Sequence, residues 1–383
     1  MDETGQQLIL AAADGMVNRG NWERIKKVMR RAAAGGKLTV GFIGGSITQD
    51  AGASCHENCY AYCVYQWWEK NFPKAEITYV NAGIGATTSH FGAARVQSDL
   101  LDAKPDFIVV EFSVNDNDIE GIDETDLFRE TYEGLVRKIY RSEWEPALLL
   151  VHNVRYDDGG SAEEIHSEIG KAYELPCVSM RKSVYPLIKE GKVPIADLSQ
   201  DNLHPNDQGH RILAALITSF LEKVRKEREA HEKAVLLRRV PVTGNTYENA
   251  VRIQKESGCV CLSEGFVRDR REAGMLRDVF VNGWIAEKAG DSIVFEVEGR
   301  NIAVQYRKSV KQPAPVAEAI VDGKEAQAVI LDSNFEQDWG DKLQLDRLLH
   351  HGSSGKHKVE IRIMEADDKD QAPFYLAGLI VAG

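Results

Sequence analysis

Residues 38–48 read Leu38-Thr39-Val40-Gly41-Phe42-Ile43-Gly44-Gly45-Ser46-Ile47-Thr48. An apolar, β-prone run stops at two glycines and a serine. A buried parallel strand ends in this way when its carboxyl edge carries a site. The glycines allow a sharp turn with no Cβ in the path, and Ser46 emerges at the strand tip. A serine hydroxyl is a weak nucleophile unless a base and an oxyanion-stabilising group stand beside it. Fold and function therefore turn on whether the rest of the chain brings both to that tip.

Working outward, residues 1–37 read as helical up to Gly35-Gly36. A second strand over Glu76–Val80 leads into Asn81-Ala82-Gly83-Ile84-Gly85-Ala86-Thr87-Thr88-Ser89, again a strand ending in glycines. Pro105–Phe112 is a third strand that ends at Ser113-Val114-Asn115-Asp116, Ala147–Val151 a fourth and Cys177–Val178 a short fifth. Between them the spacing predicts helices over Ala61–Phe72, Phe91–Leu101, Thr125–Arg141 and Ser161–Tyr173, with Asn206–Glu229 as a long last helix. Strands alternating with helices predict a three-layer α/β/α domain around a parallel sheet, over residues 1–235.

After about residue 236 helical periodicity stops. Short alternating runs follow: Cys259–Leu262, Asp278–Val281, Ser292–Val297, Ile302–Arg307, Ala317–Val321, Ala328–Leu331, His357–Ile363 and Tyr375–Val381. Turn residues such as Asn282-Gly283 and Asp322-Gly323 divide them. This spacing predicts a second, all-β sandwich domain over residues 240–383. The charged run Lys223–Lys233 reads as the solvated end of the last helix, leading to it.

The chain has 383 residues and a net charge of -12. So acidic a surface argues against nucleic acid and anionic membranes as partners, and suits a neutral substrate such as a sugar. No run approaches the roughly 18 apolar residues of a membrane span. The N-terminus is polar and acidic, and Leu8–Ala13 is too short for a signal segment, so the expected location is cytoplasmic. Of six cysteines, Cys55, Cys59 and Cys63 recur every four residues, beside His56. A metal site is conceivable there, but a second matching pair is missing, and buried free thiols are the plainer reading. No metal and no cofactor is expected.

The tips at Ser46, Gly85-Ala86 and Asn115 lie on one side of a doubly wound sheet. The loop Asp201-Asn202-Leu203-His204-Pro205, between the last strand and the last helix, returns to that rim. The pattern fits acyl transfer. His204 would take the Ser46 proton as general base, and Asp201 would hold the imidazole tautomer. The Ser46 and Ala86 backbone N–H groups and the Asn115 amide would face the oxyanion, with Gly85 as an alternative donor. Asp116 and Asp118 read as loop support or solvated charge.

These blocks resemble those of the SGNH, or GDSL-type, hydrolases. Gly44-Gly45-Ser46-Ile47-Thr48 is similar to the nucleophile block and Asn81–Thr88 to the glycine block. Val114-Asn115-Asp116 is similar to the asparagine block, and Asp201-x-x-His204-Pro205 to the last. All four occur in family order within residues 38–210. One departure is Ala86, where the family carries the second glycine of a pair; the backbone N–H survives the change.

The C-terminal half resembles the carbohydrate-binding type of β-sandwich in two-domain carbohydrate esterases, the mannan O-acetyl esterases in particular. That likeness implies a serine esterase removing acetyl groups from oligosaccharides, with Trp284 and Trp339 as candidate sugar-binding rings beside turns. The plainer reading of both rings is as filling of the sandwich core or the domain interface, just as Trp67 and Trp68 read as core of the first domain. A broad arylesterase or thioesterase, or a sugar-binding protein without activity, are the alternatives. Which sugar is acetylated, and the oligomeric state, stay open.

Overall fold

The structure, a computed structural model, describes residues 3–117, 125–227, 240–244, 247–255, 257–275 and 278–383. Asp118 and the part of the charged run beyond Glu227 lie outside the described residues. The chain divides into two units, Met1–Glu248 and Asn249–Gly383.

In the first unit six strands form one sheet: β1 (Met16–Asn18), β2 (Lys37–Gly44), β3 (Glu76–Gly83), β4 (Phe107–Glu111), β5 (Ala147–His152) and β6 (Cys177–Ser179). Their order is β1-β6-β5-β4-β2-β3. All neighbours pair in parallel except β1, which runs antiparallel to β6. The helices are α1 (Glu3–Ala13), α2 (Glu23–Ala33), α3 (Ser46–Gln49), α4 (Tyr60–Asn71), α5 (Ser89–Asp99), α6 (Thr125–Tyr140) and α7 (Glu163–Ala172). Two short ones, α8 (Met180–Ser183) and α9 (Tyr185–Lys189), precede the long α10 (Asp207–Lys226).

Alternate strand residues point to opposite faces, and here both faces are covered, so the strands read as unbroken apolar runs. Val40, Phe42, Phe107 and Leu149 pack against Leu8, Ile25, Val64, Trp68, Leu213 and Phe220 of α1, α2, α4 and α10. Fully burying an aliphatic or phenyl side chain in this way contributes about 1.5–3 kcal/mol. Gly41 faces the other way, where a Cβ would come 2.7 Å from Leu100; on that side α6 packs between α5 and α7.

Two expectations change. Residues 1–37 are not helical throughout, because Met16–Asn18 forms the antiparallel edge strand β1. Three residues between two helices are too few to show a period. The first unit also runs on past residue 235. Glu133 on α6 accepts the backbone N–H groups of Val242 and Thr243, Arg137 and Arg141 pair with Glu248, and Tyr247 is buried. Gly134 makes room for it, since a Cβ there would meet the Tyr247 backbone at 2.6 Å.

The second unit is an antiparallel sandwich. Its strands are β7 (Val251–Ile253), β8 (Val260–Glu264), β9 (Val267–Arg268), β10 (Trp284–Ala286), β11 (Ser292–Gly299), β12 (Asn301–Lys308), β13 (Val316–Val321), β14 (Val329–Asp332), β15 (Lys342–Leu349), β16 (Gly355–Glu365) and β17 (Phe374–Ala382). One sheet runs β15-β12-β17-β10-β9, with β7 on β17; the other runs β14-β13-β16-β11-β8. Inward residues alternate cleanly on β11 (Ile293, Phe295, Val297) and β16 (Val359, Ile361, Ile363). On β17 the inward set changes parity, from Phe374 and Leu376 to Leu379 and Val381, across a bulge at Ala377-Gly378.

Asp278–Val281, expected as a strand, is irregular; the strand there is Trp284–Ala286. The edge strand β15 was not expected. Its alternation, begun at Leu343-Gln344-Leu345-Asp346, breaks at Arg347, and an edge strand needs only one pairing face.

Candidate active site

Ser46 is the first residue of α3, directly after β2 and Gly44-Gly45. The turn is tight because backbone approaches backbone. A Cβ at Gly44 would lie 2.4 Å from the Glu111 carbonyl oxygen, and one at Gly45 would lie 2.1 Å from Asn115 Oδ1. Glycine at 45 thus lets the Asn115 amide sit against the nucleophile turn.

The Ser46 Oγ lies 2.9 Å from His204 Nε2, and His204 Nδ1 lies 2.6 Å from Asp201 Oδ2. The other Asp201 oxygen accepts the backbone N–H groups of Leu203 and His204 and the Ser199 hydroxyl. Burial pushes the Asp201 carboxyl up, but the hydrogen bonds from the His204 ring and the two backbone N–H groups outweigh it, and the carboxyl ends at about 2. It is therefore ionised at any working pH, although its side chain is 54% exposed. The loop is braced on both sides. Ser199 bridges Pro205, and Asn206 caps α10 by accepting from Gln208 and Gly209. Gly52, at φ +87°, lets the segment after α3 press on the loop; a Cβ there would lie 2.3 Å from the Pro205 carbonyl oxygen.

Three segments of the chain meet beside Ser46. The Ser46 N–H opens α3, Asn115 lies over Gly45, and Gly85 stands so close that a Cβ on it would be 3.7 Å from the Ser46 Cβ. Gly85 itself is occupied, since its N–H donates to Gln49 Oε1 at 2.6 Å. This removes it as the alternative donor and leaves the next N–H, that of Ala86, as the candidate on this loop. Among the described residues, the Ser46 N–H, the Ala86 N–H and the Asn115 Nδ2 donate to no protein acceptor. Ala86 adopts φ +53°, the left-handed conformation that a glycine would take without strain.

Sequence reasoning missed the groups that hold this rim. Gln49 fixes Gly85. Arg95 on α5, almost wholly buried, donates to the carbonyls of Gly44 and Ala82 and pairs with Asp99. His210 on α10 contacts the Ala51 carbonyl and the Tyr60 N–H. In the sequence Arg95 reads as one more helix cation, and nothing local marks it as buried.

The other expected residues fall apart. Cys55 precedes a short 3₁₀ turn and only Cys63 lies within α4, so the three cysteines share no helix face. Burial raises the Cys59 thiol to about 12, as for an inert core group. Trp284, a candidate sugar platform, is instead core. It is 2% exposed and packs edge-on against Phe295, because β10 lies inside its sheet and turns that side chain inward. Trp339 is 54% exposed, held by the edge of Phe335 and by Gln337. Trp68 is buried and Trp67 packs on it.

A relay of this shape, with open donors beside the hydroxyl, can do acyl transfer. The comparisons point the same way. The profile of the GDSL-like lipase/acylhydrolase family matches residues 42–212. A two-domain esterase active on acetylated mannans is 50% identical, with 97% of this chain and 98% of that one covered and a TM-score of 0.93. A structure of such an esterase co-crystallised with mannopentaose is also 50% identical, with the same coverage and a TM-score of 0.90. A comparison with curated proteins returns no match.

Proposed function

The chain belongs to the GDSL-like lipase/acylhydrolase family, and on that premise we propose that it removes acetyl groups from manno-oligosaccharides. As a carboxylic ester hydrolase it needs a nucleophile, a base and an oxyanion site. The observation that carries the assignment is the Ser46–His204–Asp201 relay, at 2.9 and 2.6 Å, beside three unoccupied donors.

In this reading His204 Nε2 takes the Ser46 proton as Oγ attacks the acetyl carbon. Negative charge grows on the former carbonyl oxygen, where Asn115, the Ala86 N–H and the Ser46 N–H receive it. The ionised Asp201 steadies the imidazolium. The protonated His204 then returns its proton to the departing sugar oxygen, leaving acetyl on Ser46. A water molecule, deprotonated by His204, repeats the attack and frees acetate.

The substrate class rests on the two-domain relative active on acetylated mannans. Trp339 offers the second unit an exposed indole on which a sugar face can stack, which supports a carbohydrate-binding role there. Six free cysteines support a reducing, cytoplasmic setting. The test is acid release from acetylated manno-, xylo- and chito-oligosaccharides and from acetyl-CoA. Acetate should come fastest from the manno-oligosaccharides. Faster turnover of acetyl-CoA would make the protein a thioesterase instead.

A further inference from the structure

We propose that Asp116 is a positioning residue for the oxyanion donors, its buried carboxylate tying the loop that carries Asn115 to the loop that presents Ala86. The inference rests on the hydrolase reading above and adds to it a residue that touches neither substrate nor the reacting atoms.

Asp116 follows Asn115 directly, and its side chain is fully buried. Its two oxygens face different elements. Oδ1 accepts the N–H of Ser89 at 2.8 Å. Ser89 opens α5 three residues after Ala86, so this bond fixes the far end of the Gly85-Ala86 turn; Gln49 fixes the near end. Oδ2 lies 3.0 Å from His166 Nε2 on α7. The His166 ring lies flat on Tyr132 of α6, with centroids 3.5 Å apart and planes at 7°. Among the described residues its Nδ1 has no hydrogen-bond partner, and the ring's polar contact is Asp116. The Asp116 N–H closes the asparagine turn onto the Phe112 carbonyl, and the Ser89 hydroxyl meets Thr131 on α6. One carboxylate thus joins both donor loops to two helices.

The surroundings are neutral or acidic. Glu111, at the end of β4, is pushed up to about 7 by burial and is engaged by Ser113. Burial lowers His166 to about 3 and carries His152 well below its ordinary value. Asp116, raised to about 7 by burial, therefore works against neutral donors. The His166 link survives either protonation state, because Nε2–H donates to the carboxylate and Nε2 accepts from the carboxylic acid. A carboxylate kept in so unfavourable a place needs a geometric reason. Accepting from two opposite sides while the Asn115 amide sits against Gly45 supplies one.

The test uses the full-length protein and an aryl acetate. Asp116→Ala should lower kcat on the order of 30-fold, less than the ~10²–10³-fold of deleting an oxyanion donor outright, and leave KM within about threefold. Asp116→Asn keeps the shape, accepts from Ser89 and donates to His166 in its other tautomer, so it should restore kcat to within about fivefold of the native value. The deciding readout is a double-mutant cycle with Asn115→Ala. If Asp116 acts through the donors, its removal costs much less in that background than in the native one. Equal losses in both backgrounds, or a loss expressed in KM, would overturn the proposal. Should Asp116→Ala fail to fold, the same cycle run with His166→Phe, which keeps a ring against Tyr132 but removes the Oδ2 anchor, decides it by the same criterion. Full activity of Ser46→Ala would instead remove the hydrolase reading, an outcome separate from these.

Discussion

The rim around Ser46 and the surface around Trp339 treat their side chains differently. On the rim every chemical group is pinned by another: His204 by Asp201, the Ala86 turn by Gln49 at Gly85, and the Gly44 carbonyl by Arg95. Four separate loops meet there, and their free atoms are those a reacting carbonyl would need. At Trp339 one loop presents one broad face, anchored by Gln337 and Phe335. Bond making needs atoms fixed to a fraction of an ångström, whereas stacking on a sugar needs only area and a dry face. The first should therefore fail steeply when touched, and the second gradually.

Ser46→Ala is the harshest challenge to that contrast. Removing the nucleophile should cost on the order of 10⁴–10⁶ in kcat on aryl acetates and oligosaccharides alike, read as released acid. A loss of less than about tenfold would mean that another group attacks, and that the pinned rim is not the reaction centre.

The contrast also exists within the second unit, between two tryptophans that look alike in sequence. Trp284→Ala opens a cavity in the sandwich core and should cost roughly 3–5 kcal/mol of that unit's stability, seen as a lower unfolding midpoint. Trp339→Ala should change stability by less than about 0.5 kcal/mol. It should weaken the binding of manno-oligosaccharides roughly tenfold in Kd, a stacking contribution of about 1.4 kcal/mol, with aryl acetate turnover unchanged. If Trp339→Ala slowed the aryl acetate too, the division between pinned chemistry and open binding would collapse.

That pair shows where the sequence stops being legible. Four short blocks reveal the rim because each couples a residue type to a strand end, and parallel strands bring their ends together. That Ser46, His204 and Asp201 lie together, with Asn115 against Gly45, could be anticipated in this way. Arg95 and the Asp116–His166 pair could not, since burial depends on which helix covers which strand. The alternating periods of β11 and β16 announce the sandwich, while β15 is hidden by the break in its alternation at Arg347 and β1 by its brevity. Trp284 and Trp339 both stand near turns; only the register of β10 on β17 decides that the first points inward.

Ala86→Gly is the mildest probe of the rim. Ala86 sits at φ +53°, where an L-residue with a Cβ is strained by about 1 kcal/mol or more. Glycine removes that strain, but its looser unfolded chain takes back about 0.4–1 kcal/mol. The balance favours the variant by roughly 0.5 kcal/mol, or about 1–2 °C in the first unit's midpoint. Since the proposed donor is the backbone N–H, which the substitution keeps, and since Gln49 still holds Gly85, kcat should stay within about twofold. A tenfold fall in kcat with the midpoint raised would show that the methyl group itself stiffens the turn. The alanine would then be a working part of the oxyanion site, and pinning would extend from the side chains to the backbone.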